Sequence, residues 1–125
     1  MIQRIQTVYL FLSSFLSFFI YKYTFKLLEN TIINKSHFFL ISSIILFFII
    51  FFYKKRGFQS LVCLLLIISN LVVFLFTAYN LLNKMYIDLV YTIPFLIIIK
   101  QFFIFLARRS IIRDEKLIRS IDRLR

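Results

Sequence analysis

Few side chains in this sequence are equipped for acid–base, nucleophilic or metal chemistry: one histidine, one cysteine and five carboxylates among 125 residues. The carboxylates are Glu29, Asp88, Asp114, Glu115 and Asp122. Glu29 and Asp88 fall on the outer side, Asp88 at the edge of the last apolar run, and the other three in the tail, so no carboxylate pair for hydrolysis or proton relay within a membrane is available. His37 stands at the edge of an apolar run with no Cys, His or carboxylate at ligand spacing, which reads as an interfacial residue rather than a metal ligand. A Ser-His-Asp set would need His37, Asp88 and Ser36 to meet, with nothing to shield them from water and no nucleophile elbow. The single glycine excludes a glycine-rich phosphate loop. Cys63 has no disulfide partner and reads as a small packing residue. The chain is therefore expected to be no enzyme, with no cofactor and no metal.

The remaining chemistry lies in polar groups placed inside apolar runs: Ser13 and Ser14, Asn70, Lys100 and Gln101. Ser13 and Ser17 share a helix face at i, i+4 spacing, a small-residue strip that lets a second helix approach closely. An unpaired Asn amide in hydrocarbon costs several kcal/mol, so Asn70 is expected to bond to another helix as structural glue, although such bonds gain only about 0.6 kcal/mol on average. Lys100 lies about 10 Å from Ala107 at 1.5 Å per residue. Its stem can snorkel outward over that distance. The alternative pairs it inside a bundle with Ser13 and Ser14, which lie at about the same depth. Pro94 is expected to kink its helix and free a carbonyl near Val90.

The elements that must position these groups follow from composition. Hydrophobic residues make up 62% of the chain, against a globular norm of roughly 45–50%, and that much apolar surface needs lipid. The 18 phenylalanines beside one Gly, one Pro and no Trp read as coding bias rather than an aromatic binding site. Four apolar stretches, residues 6–23, 37–53, 58–79 and 86–107, are long enough to cross a bilayer. The fold class expected is an all-α integral membrane protein: four transmembrane helices in an antiparallel bundle over residues 1–107, plus a basic amphipathic cytoplasmic helix over residues 108–125. The amino terminus imitates a secretory signal, but its apolar run has no small-x-small site and is expected to stay as the first anchor. Residues 24–36 read as the first loop and residues 80–84 as the second exterior one. Between the second and third spans, Tyr53-Lys54-Lys55-Arg56-Gly57-Phe58 reads as a tight turn, so those spans should form a hairpin, the firmest helix contact expected.

Orientation follows from where lysine and arginine fall. With the Lys54-Lys55-Arg56 turn in the cytoplasm, eleven cations lie inside against four outside, Lys100 left uncounted. Both termini then face the cytoplasm. In the tail, Ile111, Leu117, Ile118, Ile121 and Leu124 gather on one helical face and Arg109, Lys116, Arg119 and Arg123 on the opposite one. Ser110 is placed to cap that helix, and Glu115 with Arg119 makes a favourable i, i+4 pair. An apolar stripe backed by Arg109, Arg113, Lys116, Arg119 and Arg123 suits an anionic lipid surface. Docking onto a membrane or cytoplasmic protein partner, or onto a second copy as a homo-oligomer, is the competing use. Nucleic acid ranks last, since no recognition fold accompanies the net charge of +11.

The opening Met1-Ile2-Gln3-Arg4-Ile5-Gln6-Thr7-Val8-Tyr9-Leu10 and the closing Arg113-Asp114-Glu115-Lys116-Leu117-Ile118-Arg119-Ser120-Ile121-Asp122-Arg123-Leu124-Arg125 resemble those of the domain of unknown function 4293 family, small bacterial membrane proteins. The resemblance implies four spans and a bacterial inner-membrane address, and supplies no activity. Two functional readings remain. One is a non-enzymatic scaffold or accessory subunit whose basic tail contacts lipid or a partner. The other is a small transporter or channel component with a polar path at Asn70, Pro94 and Lys100.

Overall fold

The computed structural model describes residues 2–27, 33–83 and 92–123. All regular structure among them is helical: α1 (Ile2–Leu27), α2 (Ile33–Ile49), α3 (Arg56–Asn83) and α4 (Thr92–Asp122), with a turn of 3-10 helix at Ile50–Phe52 continuing α2. The helices are long because nothing in their interiors breaks them. The single glycine, Gly57, falls in the first turn of α3, where a missing Cβ does least harm, and the single proline, Pro94, lies two residues into the described part of α4. The kink expected at Pro94 turns on Val90 and its neighbours, which lie outside the described residues.

Two stretches, Ile5–Thr24 and Arg56–Tyr79, are long and apolar enough to cross a membrane, while His37–Phe52 is apolar but shorter. Several expected boundaries move. Helix α1 continues through Thr24 to Leu27, and α2 already begins at Ile33, so both ends of the expected first loop are helical. Helix α3 extends to Asn83, through most of the expected second loop, and Lys84 lies outside the described residues.

Packing follows a seven-residue rhythm. Apart from Ser14, the buried positions are Gln6, Leu10, Ser13, Ser17, Ile20 and Thr24 on α1, Gln59, Cys63, Leu66 and Asn70 on α3, and Ile93, Ile97, Lys100, Ile104, Ala107, Ile111 and Asp114 on α4. Their spacing alternates between four and three, a narrow seam of the kind that packs helices at shallow angles. Helix α1 packs extensively on α2 and α4, and α4 on α3. Helices α2 and α3 touch little beyond their turn, which corrects the expectation that this hairpin is the firmest contact. The reason lies in side-chain size. Ser13, Ser14 and Ser17 on α1 and Ser42 and Ser43 on α2 are buried, and small residues let those two helices approach closely. A short connection makes α2 and α3 neighbours in sequence without giving them such a seam.

The tail differs too. Helix α4 runs unbroken through residue 108, so Ser110 sits mid-helix instead of capping a new one. Ile111 is fully buried and Asp114 nearly so, whereas Leu117, Ile118 and Ile121 are exposed. The apolar face expected of the tail therefore divides: its first member belongs to the bundle core and the next three stand clear, while Leu124 lies outside the described residues.

The core forms two apolar clusters. Leu10, Leu46, Ile49, Cys63, Leu66, Ile104, Ala107 and Ile111 occupy the end bearing the α2–α3 turn, and Ile20, Phe39, Ile93 and Ile97 the other end. Outside, phenylalanines such as Phe11, Phe15, Phe48, Phe95, Phe102 and Phe105 are about half exposed or more. Buried polar residues and exposed aromatic ones invert the ordinary globular arrangement.

Candidate functional site

Between the two clusters lies a polar layer centred on Lys100, which is 0% exposed. Its Nζ donates to Ser42 Oγ at 2.9 Å and to Asn70 Oδ1 at 3.0 Å, and stands 5.4 Å from the centroid of the Phe39 ring. Each acceptor is held by its own helix. Asn70 Nδ2 donates to the Leu66 carbonyl at 2.7 Å, which turns Oδ1 toward the amine, and Ser42 Oγ donates to the Phe39 carbonyl at 2.9 Å. One side chain from α4 thus links α2 to α3 across the seam where those helices pack least. Its partners among the described residues are neutral oxygens and a ring face, with no carboxylate. A lysine amine has three donors and no acceptor, and the third faces the phenyl group favourably.

This geometry overturns the snorkelling reading of Lys100. The amine is fully buried and bonds inward to Ser42 and Asn70 instead of reaching along α4 toward its cationic end. It also corrects the nominated partners. Ser13 and Ser17 do lie at the level of Lys100, flanked by Leu10 and Ile20 of the same two clusters, but their hydroxyls turn back onto their own helix. Ser13 Oγ donates to the Leu10 carbonyl at 2.8 Å and Ser17 Oγ to the Ser13 carbonyl at 2.8 Å, the local bonding that serines in helices favour. Ser14 Oγ instead crosses to α2, donating to the Ser43 carbonyl at 3.2 Å. Gln101 Nε2 donates to the Ile67 carbonyl at 2.9 Å, a second tie between α4 and α3.

A second polar group closes the end that carries the α2–α3 turn. Gln6 Nε2 of α1 donates to Asp114 Oδ2 of α4, and both residues are buried. Gln59 Nε2 of α3 donates to the Ile49 carbonyl of α2 at 3.4 Å. Arg109, Arg113, Lys116, Arg119 and Arg123 are all exposed, as are Lys54 and Lys55 of the turn. Arg119 Nη2 meets Glu115 Oε1 at 2.5 Å, the i, i+4 pair expected from sequence.

Phe39, Ser42 and the Gln6–Asp114 link were missed as site residues. The repeat Ile93, Ile97, Lys100, Ile104, Ala107, Ile111, Asp114 was the signal that could have found both groups, because it places Lys100 and Asp114 on the seam. His37 is exposed, its ring 6.4 Å from that of Tyr21. Two grooves open on the outer surface, one of about 440 Å³ lined by α1 and α2 and one of about 180 Å³ at Phe105, Arg108, Arg109 and Ile112, and neither reaches Lys100. The arrangement can hold helices in register; among the described residues these grooves offer no route to the amine.

Comparison with curated proteins and with solved structures gives no match. A family model described as domain of unknown function (DUF4293) matches residues 19–124, which takes in the closing segment from Arg113 to Leu124 but not the opening one. Covering most of the sequence, from within α1 to the end of α4, that match shows that the chain belongs to the DUF4293 family.

Proposed function

We propose that this chain is a four-span membrane protein with both termini in the cytoplasm, acting as a non-enzymatic scaffold or accessory subunit whose basic end contacts anionic lipid. The observation that carries the reading is the inverted distribution of polarity. Gln6, Ser13, Ser17, Ser42, Gln59, Asn70 and Lys100 are buried while most of the described phenylalanines, Phe39 excepted, face outward. An apolar solvent favours that arrangement: interior polar groups bond across helices, and lipid covers the rings. The bundle also gathers the α2–α3 turn and the C-terminal cations at one end, as the positive-inside rule asks of a cytoplasmic face.

The transport reading draws on the same polar layer. It needs a path to Lys100, and the layer is packed between two apolar clusters with neither outer groove leading to it. A structural lock accounts for the geometry without a path.

The test is to purify the full chain from native membranes with Arg109, Arg113, Lys116, Arg119 and Arg123 either intact or all changed to Gln. The intact chain should carry a lipid shell enriched in anionic headgroups, and the variant should lose that enrichment while remaining in the membrane. Equal enrichment in both would refute the reading.

A further inference from the structure

We infer that Arg108 and Arg109, with Phe105 and Ile112, form a discrete site for the phosphate of one anionic phospholipid, whose acyl chain lies along the outer face of α4. The inference rests on the membrane reading above and deepens it, replacing a diffuse attraction with a defined position.

Three observations carry it. The first is shape: Phe105, Arg108, Arg109 and Ile112 line a groove of about 180 Å³. Their spacing of three, one and three residues puts all four on one side of α4, two cationic groups between two apolar ones.

The second is unspent charge. The Nε of Arg108 is buried with no hydrogen-bond partner among the described residues, and a buried guanidinium N–H left unpaired is costly. Of the carboxylates close in sequence, Glu115 is paired with Arg119, and Asp114 accepts from Gln6 through Oδ2 while its buried Oδ1 has no partner among the described residues, so neither is bonded to the Arg108 Nε. A phosphate matches the planar fork of an arginine with two parallel bonds.

The third is what lies next to the cations. Exposed Phe95, Ile98, Phe102 and Phe105 recur at spacings of three, four and three, a stripe leading to Arg109. From Phe95 to Phe105 is about 15 Å at 1.5 Å per residue, half of a hydrocarbon core of roughly 30 Å and so one leaflet. Arg108 and Arg109 stand within two turns of Asp114, whose partner Gln6 begins the apolar stretch of α1. That is the level at which headgroups meet acyl chains. Arg113 and Lys116, exposed one and two turns farther out, extend the cationic surface toward the rest of the headgroup. A free phosphate ion would use the arginines and leave the stripe idle; a phospholipid uses both.

The experiment is native mass spectrometry of the full chain released from detergent, titrated with phosphatidylglycerol and with phosphatidylcholine. The unchanged chain should retain one phosphatidylglycerol in preference to phosphatidylcholine. Arg108→Gln with Arg109→Gln should weaken that retention about thirtyfold, the factor that roughly 1 kcal/mol per cation gives for two. Arg119→Gln with Arg123→Gln removes the same charge farther out and should change it less than threefold. Arg109→Gln alone, an exposed position, should weaken retention about fivefold by the same reckoning, which keeps the test sound should the Arg108 change disturb folding. Equal losses from both pairs would overturn the site while leaving diffuse attraction standing, and so would equal retention of the two lipids. Displacement of the lipid by millimolar inorganic phosphate would overturn the choice of a lipid as occupant. Loss of anionic enrichment in the five-cation variant, without any one-to-one retention here, would separate failure of the site from failure of the membrane reading.

Discussion

Changing Asn70 to Leu should destabilise the protein by stranding Lys100, and the size of the loss should depend on whether Lys100 is present. In the intact bundle the amine has two oxygen acceptors, Ser42 Oγ and Asn70 Oδ1, and the Phe39 ring. Asn70→Leu removes one acceptor while the amine stays buried. Leaving a buried donor unsatisfied costs about 1–3 kcal/mol, so a cost of about 2 kcal/mol is expected. Lys100→Met removes the amine and leaves one carbonyl oxygen on Asn70 unpaired, whose Nδ2 still bonds to Leu66; about 1 kcal/mol is expected. With both changes no polar orphan remains on either side chain, and replacing both partners by apolar groups is close to neutral. The double variant should therefore be more stable than Asn70→Leu alone, with a coupling of about 3 kcal/mol, well above the average of about 0.6 kcal/mol for hydrogen bonds between membrane helices. Reversible unfolding of the full chain in bicelles, followed by helical circular dichroism, measures all four corners of the cycle. Effects that add to within about 0.5 kcal/mol would refute the claim that Lys100 and Asn70 act as one unit.

Three further outcomes follow from the packing. Gly57 lies in the first turn of α3 without a positive φ, and a Cβ added there meets nothing within 4 Å. Gly57→Ala should raise stability in the same unfolding assay by about 0.5–1 kcal/mol. Ser17 is fully buried on the seam of α1, so Ser17→Leu should overpack it at a cost of about 1–3 kcal/mol, read as a lower unfolding midpoint, while Ser17→Ala should cost far less. Cys63 is fully buried and should resist alkylation by a maleimide until denaturant is added; rapid labelling of the folded chain would show that the core around Leu66 and Ala107 is open.

The long apolar runs made four helices legible from hydropathy alone, since few residues within them can stop a helix. Faces were harder to read than lengths. A hydropathy average treats Lys100 as an interruption, and the first charged pair, Arg108-Arg109, looked like the place where α4 leaves the core. The seven-residue spacing carries the opposite message, because Ile104, Ala107, Ile111 and Asp114 continue the stripe that holds Lys100. Ser13 and Asn70 show a second limit. Both were legible as polar groups of the interior, yet a serine hydroxyl can satisfy itself on its own helix, as Ser13 does on Leu10, whereas Asn70 spends its amide nitrogen that way and keeps an oxygen to offer. Which acceptor the amine meets is decided by rotation about the helix axes, and that rotation is fixed by small residues such as Ser14 and Ser43 whose effect emerges only once the helices are packed.

Single-cysteine accessibility most directly tests the membrane account. In a Cys63→Ala background, cysteines placed at Lys54 in the α2–α3 turn and at Arg123 beyond the end of α4 should both be shielded from an impermeant maleimide in intact cells and both react once the membrane is opened. Labelling of either position in intact cells would contradict an arrangement with the turn and the C-terminal cations on the cytoplasmic side.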